Sequence, residues 1–146
     1  MYPKEILGQD EDDGTMPDNV ATLEEAVVGH RILSAKRAEN GAMVIMLDDG
    51  TVVEMRDTGD CCAHTTMESF LLHAGRIDHI ITGVGTTEGY TVWHVFADFG
   101  DVMEMHVGWS CGNPFYYGYG FDISVKRPEI SLEDAKKLLL ENYREL

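Results

Sequence analysis

Glycine-containing turns set between short runs of β-branched and apolar residues constrain this chain more than any other feature. Asn40-Gly41 is a strong two-residue hairpin signal, and Asp48-Asp49-Gly50 is a second, because tight hairpins need positive φ and glycine adopts it freely. The flanking runs, residues 30–37, 43–47 and 52–56, read as three strands of a meander. Residues 77–86, 90–97 and 102–108 resume the pattern, joined at Glu88-Gly89 and Phe99-Gly100. In residues 121–126, Phe121, Ile123 and Val125 alternate with Asp122, Ser124 and Lys126, the pattern of a half-buried strand, and Pro128 ends it. A turn at Phe99-Gly100 predicts Val92, His94 and Phe96 on one face with Met103, Met105 and Val107, and Trp93 and Val95 beside Glu104 and His106.

Helical signals are fewer. Thr22 stands three residues before Glu25, the spacing of a capping box, with Gly29 as a stop. Thr65 and Glu68 repeat that spacing, with Met67, Phe70 and Leu71 on one helical face and Gly75 as the stop. Ser131 opens a C-terminal helix whose buried stripe is Leu132, Ala135, Leu138 and Leu139. The expected fold is α+β: one antiparallel β-meander sheet of six to seven strands, with two to three helices packed on one face. Residues 1–21 read as an acidic, poorly ordered leader and residues 22–146 as a single α+β domain.

At 146 residues the chain is long enough for one core without disulfide or metal support. The longest apolar run, residues 42–47, is far below the ~20 residues of a membrane helix, and no basic segment leads into an apolar stretch at the start. The cytosol is the expected compartment. Eleven basic against twenty-six acidic residues give a net charge of -15, which repels a phosphate backbone and argues against nucleic-acid binding. Residues 1–25 hold eight of the acids and one Lys, the composition of a solubilising tail or of an arm that grips a basic partner.

Three cysteines, an odd number in an apparently cytosolic chain, make a disulfide framework a poor explanation. Cys61 and Cys62 precede the expected helix cap at Thr65, where a helix N-terminus lowers a thiol's pKa, and His64 is near enough in sequence to act as a base. Both thiols are equally well read as small core fillers. Cys61, Cys62, His64 and Cys111 could supply four zinc ligands, but the spacing departs from the paired knuckles of structural zinc sites, so no metal and no other cofactor is expected. His94 on an apolar face reads as a hydrogen-bonded core residue, and Glu104 with His106 as an acid/base pair or a solvent face. The stretch 109–121 is rich in aromatics and glycine, and Trp109, Phe115, Tyr116, Tyr117 and Tyr119 could form a recognition surface or cover an open sheet edge. Gly83-Val84-Gly85 lies in a strand pattern and lacks the glycine, lysine and helix of a phosphate loop.

Gly29-His30-Arg31-Ile32-Leu33, then Leu47-Asp48-Asp49-Gly50-Thr51, Gly59-Asp60-Cys61-Cys62 and Ile81-Thr82-Gly83-Val84 follow one another in order. That order resembles a family of small uncharacterised proteins of actinobacterial bacteriophages, marked by a Gly-Asp-Cys-Cys turn after a β-meander. The resemblance spans residues 29–125. His64 and Thr65 stand where that family's pattern has Ser or acidic residues. It implies an accessory protein working in a host bacterial cytoplasm and carries no reaction, cofactor or catalytic residue with it. The expectation is a non-enzymatic protein that binds a host or phage protein through the 109–121 surface. The alternatives are an enzyme with Cys61 or Cys62 as nucleophile, or a structural zinc-binding protein.

Overall fold

The computed structural model describes residues 15–59, 63–110 and 120–128. Residues 1–14 of the expected leader, Cys61, Cys62, Cys111, Phe115, Tyr116, Tyr117, Tyr119 and the expected helix after Ser131 lie outside them. Within them the chain is mostly β: one helix and nine strands in two antiparallel sheets.

Helix α1, Met16–Val27, opens with Pro17 in its first turn, a position whose missing N–H costs nothing. It starts ahead of the Thr22 cap expected from the sequence, so Thr22 is a mid-helix residue. Met16, Val20, Leu23 and Val27 form its buried stripe. The strands β1 (Ile32–Arg37), β2 (Met43–Leu47) and β3 (Val52–Arg56) form the predicted meander, turning at Gly41 (φ 87°) and Gly50 (φ 88°). β9 (Asp122–Lys126) pairs with β3 and completes this first sheet in the order β1-β2-β3-β9.

The expected single sheet is in fact two. After Arg56 the chain leaves the first sheet at Asp57 and enters β4 (Thr58–Gly59), the edge of a second sheet. That sheet runs β4, β5 (His64–Leu72), β8 (Gly100–Ser110), β7 (Val92–Ala97) and β6 (Gly83–Thr87), and residues 73–82, which include the first part of the expected strand 77–86, are turns and irregular chain. Asp57 Oδ1 accepts the Met67 N–H at 2.9 Å, which anchors the corner.

β5 replaces the second expected helix. Thr65 is fully buried and Met67 is 3% exposed while His64 and Glu68 face outward, a period of two. A β-bulge between Met67 and Ser69 then shifts the phase, so Phe70 and Leu72 pack on the core that Met67 enters. The inserted residue turns strand spacing into the i, i+3 spacing that resembles a helix face. A second bulge alters the β7–β8 hairpin. Its turn is Asp98-Phe99, Ala97 pairs with Gly100, and the register shifts between Val95 and Phe96. Trp93 therefore opposes Met105 and Val95 opposes Met103, while His94 opposes Glu104 and Val92 opposes His106. The expected face assignment is thus reversed.

One contiguous core draws on the helix and on the facing sides of both sheets: Leu23 from α1, Ile45 and Met55 from the first sheet, Trp93, Met103 and Met105 from the second. Helix α1 lies against β6 and β9, which are edge strands of different sheets. Glu24 accepts the Val84 N–H at 3.0 Å, which occupies a donor on the open edge of β6. Asn19, 7% exposed, makes both hydrogen bonds with the backbone of Phe121, accepting from its N–H at 2.6 Å and donating to its carbonyl at 3.0 Å. On the opposite flank Arg37 of β1 donates to the Met67 carbonyl at 2.8 Å and lies 5.6 Å over the Phe70 ring. These three side chains tie the layers to one another.

Candidate functional site

At one end of the molecule the link between α1 and β1, the segment 78–82 and the tip of the β7–β8 hairpin enclose an open cleft of about 460 Å³. Arg31, residues 78–80, Thr82 and residues 97–99 line it. The hairpin tip presents Phe99 outward: Asp98-Phe99 are the two turn residues, and with Gly100 at φ 127° the chain reverses without turning the ring inward. Phe99 is 80% exposed and Ile80 47%. The rings of Phe99 and His79 meet edge-to-face at a centroid distance of 5.5 Å and an interplanar angle of 61°, a contact that leaves Phe99 exposed.

The floor is held by backbone contacts. Thr82 N–H donates to Phe96 O at 2.9 Å, and Ile81 N–H to His30 O at 2.9 Å. Arg31 is spoken for on two sides: its Nε donates to Asp78 O at 2.7 Å, and its Nη1 lies 3.8 Å from Asp48. Asp78, with a side chain 83% exposed, and Asp98, also exposed, then leave the rim acidic.

Beside the cleft, His30, Asp48 and Asp49 are the one group among the described residues whose donors approach one another closely enough to consider a metal. Asp48 lies 3.0 Å from Nδ1 of His30, whereas Asp49 lies 3.7 Å from Nε2. The two carboxylates thus address different ring nitrogens. That is the arrangement of an imidazole clamped between two acids, because one ion binds only one nitrogen of a ring. Asp49 also accepts the Thr51 backbone N–H at 2.9 Å, and this bond, reinforced by His30, holds its carboxyl below the ordinary value of 3.8.

A third constellation crosses the outer face of the second sheet. His94 Nδ1 lies 2.8 Å from Asp101 Oδ2, and its Nε2 lies 2.9 Å from Thr87 Oγ1. A hydroxyl, an imidazole and a carboxylate in that order have the connectivity of a general-base relay. His94 is only 8% exposed, however, and none of the three lines the cleft. The relay braces β6, β7 and β8 together; His94 is hydrogen-bonded as expected, but it lies on the outer face opposite Glu104 rather than on the apolar face.

The sequence-predicted candidates are dispersed. His64 is an exposed residue at the start of β5, paired with Gly59 and Ser110 and not beside a helix end. With a strand in place of that helix, the electrostatic argument for a low-pKa thiol next to it loses its basis; Cys61, Cys62 and Cys111 themselves lie outside the described residues. Trp109 is half-buried on β8 and donates its indole N–H to Gly89 O at 2.6 Å. Glu104 and His106 approach to 3.7 Å on the outer face. Sequence reasoning missed Phe99 and Ile80. The available signal was an aromatic residue inside a hairpin turn, a position that polar residues and glycine ordinarily take.

Residues 25–123 match the model of a domain of unknown function, DUF7448. No curated protein and no solved structure matches the chain. No helix among the described residues is long and apolar enough to cross a membrane.

Proposed function

The chain belongs to the DUF7448 family, a domain of unknown function whose matched residues 25–123 include the whole cleft lining, and we propose that it is a non-enzymatic binding protein whose cleft end engages another protein. The observation that carries this reading is Phe99, 80% exposed at a hairpin tip and in edge-to-face contact with His79, with Ile80 alongside. An aromatic side chain has few torsions to fix on docking and buries a large apolar area, as interface anchors do. The phage accessory role in a bacterial cytoplasm, implied by the resemblance, belongs to the same proposal.

Affinity capture from a lysate of an actinobacterial host tests it, with partners identified by mass spectrometry. A specific partner is recovered on the wild-type protein and lost on Phe99→Asp, while Leu71→Asp, at an exposed position on β5 (56%), retains it. Equal recovery on wild type and Phe99→Asp contradicts the assignment.

A further inference from the structure

The charge around Phe99 specifies the kind of partner, on the premise that the cleft end is a protein-binding surface. Asp78 and Asp98 flank the Ile80–Phe99 pair, and Asp48 and Asp49 stand beyond Arg31. Among the described residues two cations stand close by: Arg31, 3.8 Å from Asp48, and Arg76, whose guanidinium lies against Gly100 and donates to the Asp101 carbonyl; the four carboxylates of Asp48, Asp49, Asp78 and Asp98 outnumber them. Both apolar side chains are therefore presented in a negative field, on a chain that carries -15 overall.

We infer that the occupant is a lysine- or arginine-bearing segment of another protein. It would lay one apolar side chain against Phe99 and Ile80 and set its cations over Asp78 and Asp98. An acidic segment would meet like charge on both sides of the same anchor, and nucleic acid would meet the repulsion of the whole surface. Rim charges of this kind act mainly on association rate and on choice of partner, while the apolar contact holds the complex.

Two fluorescein-labelled synthetic peptides serve as probes, one alternating lysine with leucine and the other glutamate with leucine, read by anisotropy and by amide chemical-shift mapping. The lysine–leucine peptide binds the wild-type protein and shifts residues 78–82 and 97–100. The double variant Asp78→Lys/Asp98→Lys weakens it by about tenfold or more and gains affinity for the glutamate–leucine peptide. Phe99→Ala weakens both. The same charge change at Asp18 and Glu39, exposed acids on α1 and in the β1–β2 turn, leaves the preference as it was. That control separates a local site from attraction to net charge. The inference is overturned if the Asp18/Glu39 variant loses binding as fully as the rim variant, if the shifts map elsewhere, or if the lysine–leucine peptide does not bind. Outcomes of the capture experiment are separable from these. A natural partner lost on Phe99→Asp but kept on Asp78→Lys/Asp98→Lys removes the charge rule and leaves the binding surface standing.

Discussion

Asn19 is a buried amide that does the work of a strand. By accepting from the Phe121 N–H and donating to the Phe121 carbonyl, it satisfies both backbone groups of a residue 5% exposed at the mouth of β9. Asn19→Ala leaves both without that partner, and an unmet buried backbone group costs about 1–3 kcal/mol. A loss of about 2 kcal/mol or more is expected in urea melts. Asn19→Asp keeps the acceptor but sets a buried carboxylate oxygen against the Phe121 carbonyl, so at neutral pH it should cost at least as much as Asn19→Ala. Asp49 acts at the surface and through pH. Its folded carboxyl sits below the ordinary 3.8, first because of the Thr51 N–H and also because of His30. A folded value below the unfolded one means that the contribution is complete above about 3.8 and fades as pH falls through the lowered value. The melting temperature of Asp49→Asn should therefore lie below wild type at neutral pH, with the gap closing in acid. A gap that widens in acid would contradict the assignment.

Among the elements, β2 and β3 were legible to the residue, because glycine turns on either side fix where an alternating strand begins and ends. Two of the failures, at β5 and in the β7–β8 hairpin, have a common cause, an inserted residue. In β5 the bulge before Ser69 brings Met67 and Phe70 to one face, and with Thr65 and Glu68 at capping-box spacing the segment reads as a helix. In the β7–β8 hairpin, a turn one residue earlier than expected and a compensating bulge put Trp93 with Met105. Bulges are set by pairing partners far along the chain, and alternation alone does not reveal them. The return of β9 to β3 is likewise a long-range choice, fixed by Asn19 and by Thr58 and Thr65 around Gly120. The strand assignment of β5 is checked by 13Cα secondary shifts, which should be those of extended chain throughout residues 64–72. Helical shifts there would refute it.

At the scale of the molecule, two sheets share one core, and the helix spans two of their edge strands. That construction leaves the two loop ends of the sheets free for function. The cleft end gathers segments far apart in sequence, Arg31, residues 78–82 and the 97–99 hairpin tip. Their convergence follows from the strand order, which is why no local motif announced it. The acidity of the chain was available from composition. The exposed Phe99 was not singled out by any local pattern; of the aromatic set that was, Trp109 donates its indole N–H to Gly89 O, and Phe115, Tyr116, Tyr117 and Tyr119 lie outside the described residues. The most direct test is amide hydrogen exchange of the full-length protein with and without its captured partner. The account predicts slowed exchange at residues 78–82 and 97–100 with the outer face of the first sheet unchanged. Protection confined to that outer face or to α1, with the hairpin tip exchanging as in the free protein, would contradict it.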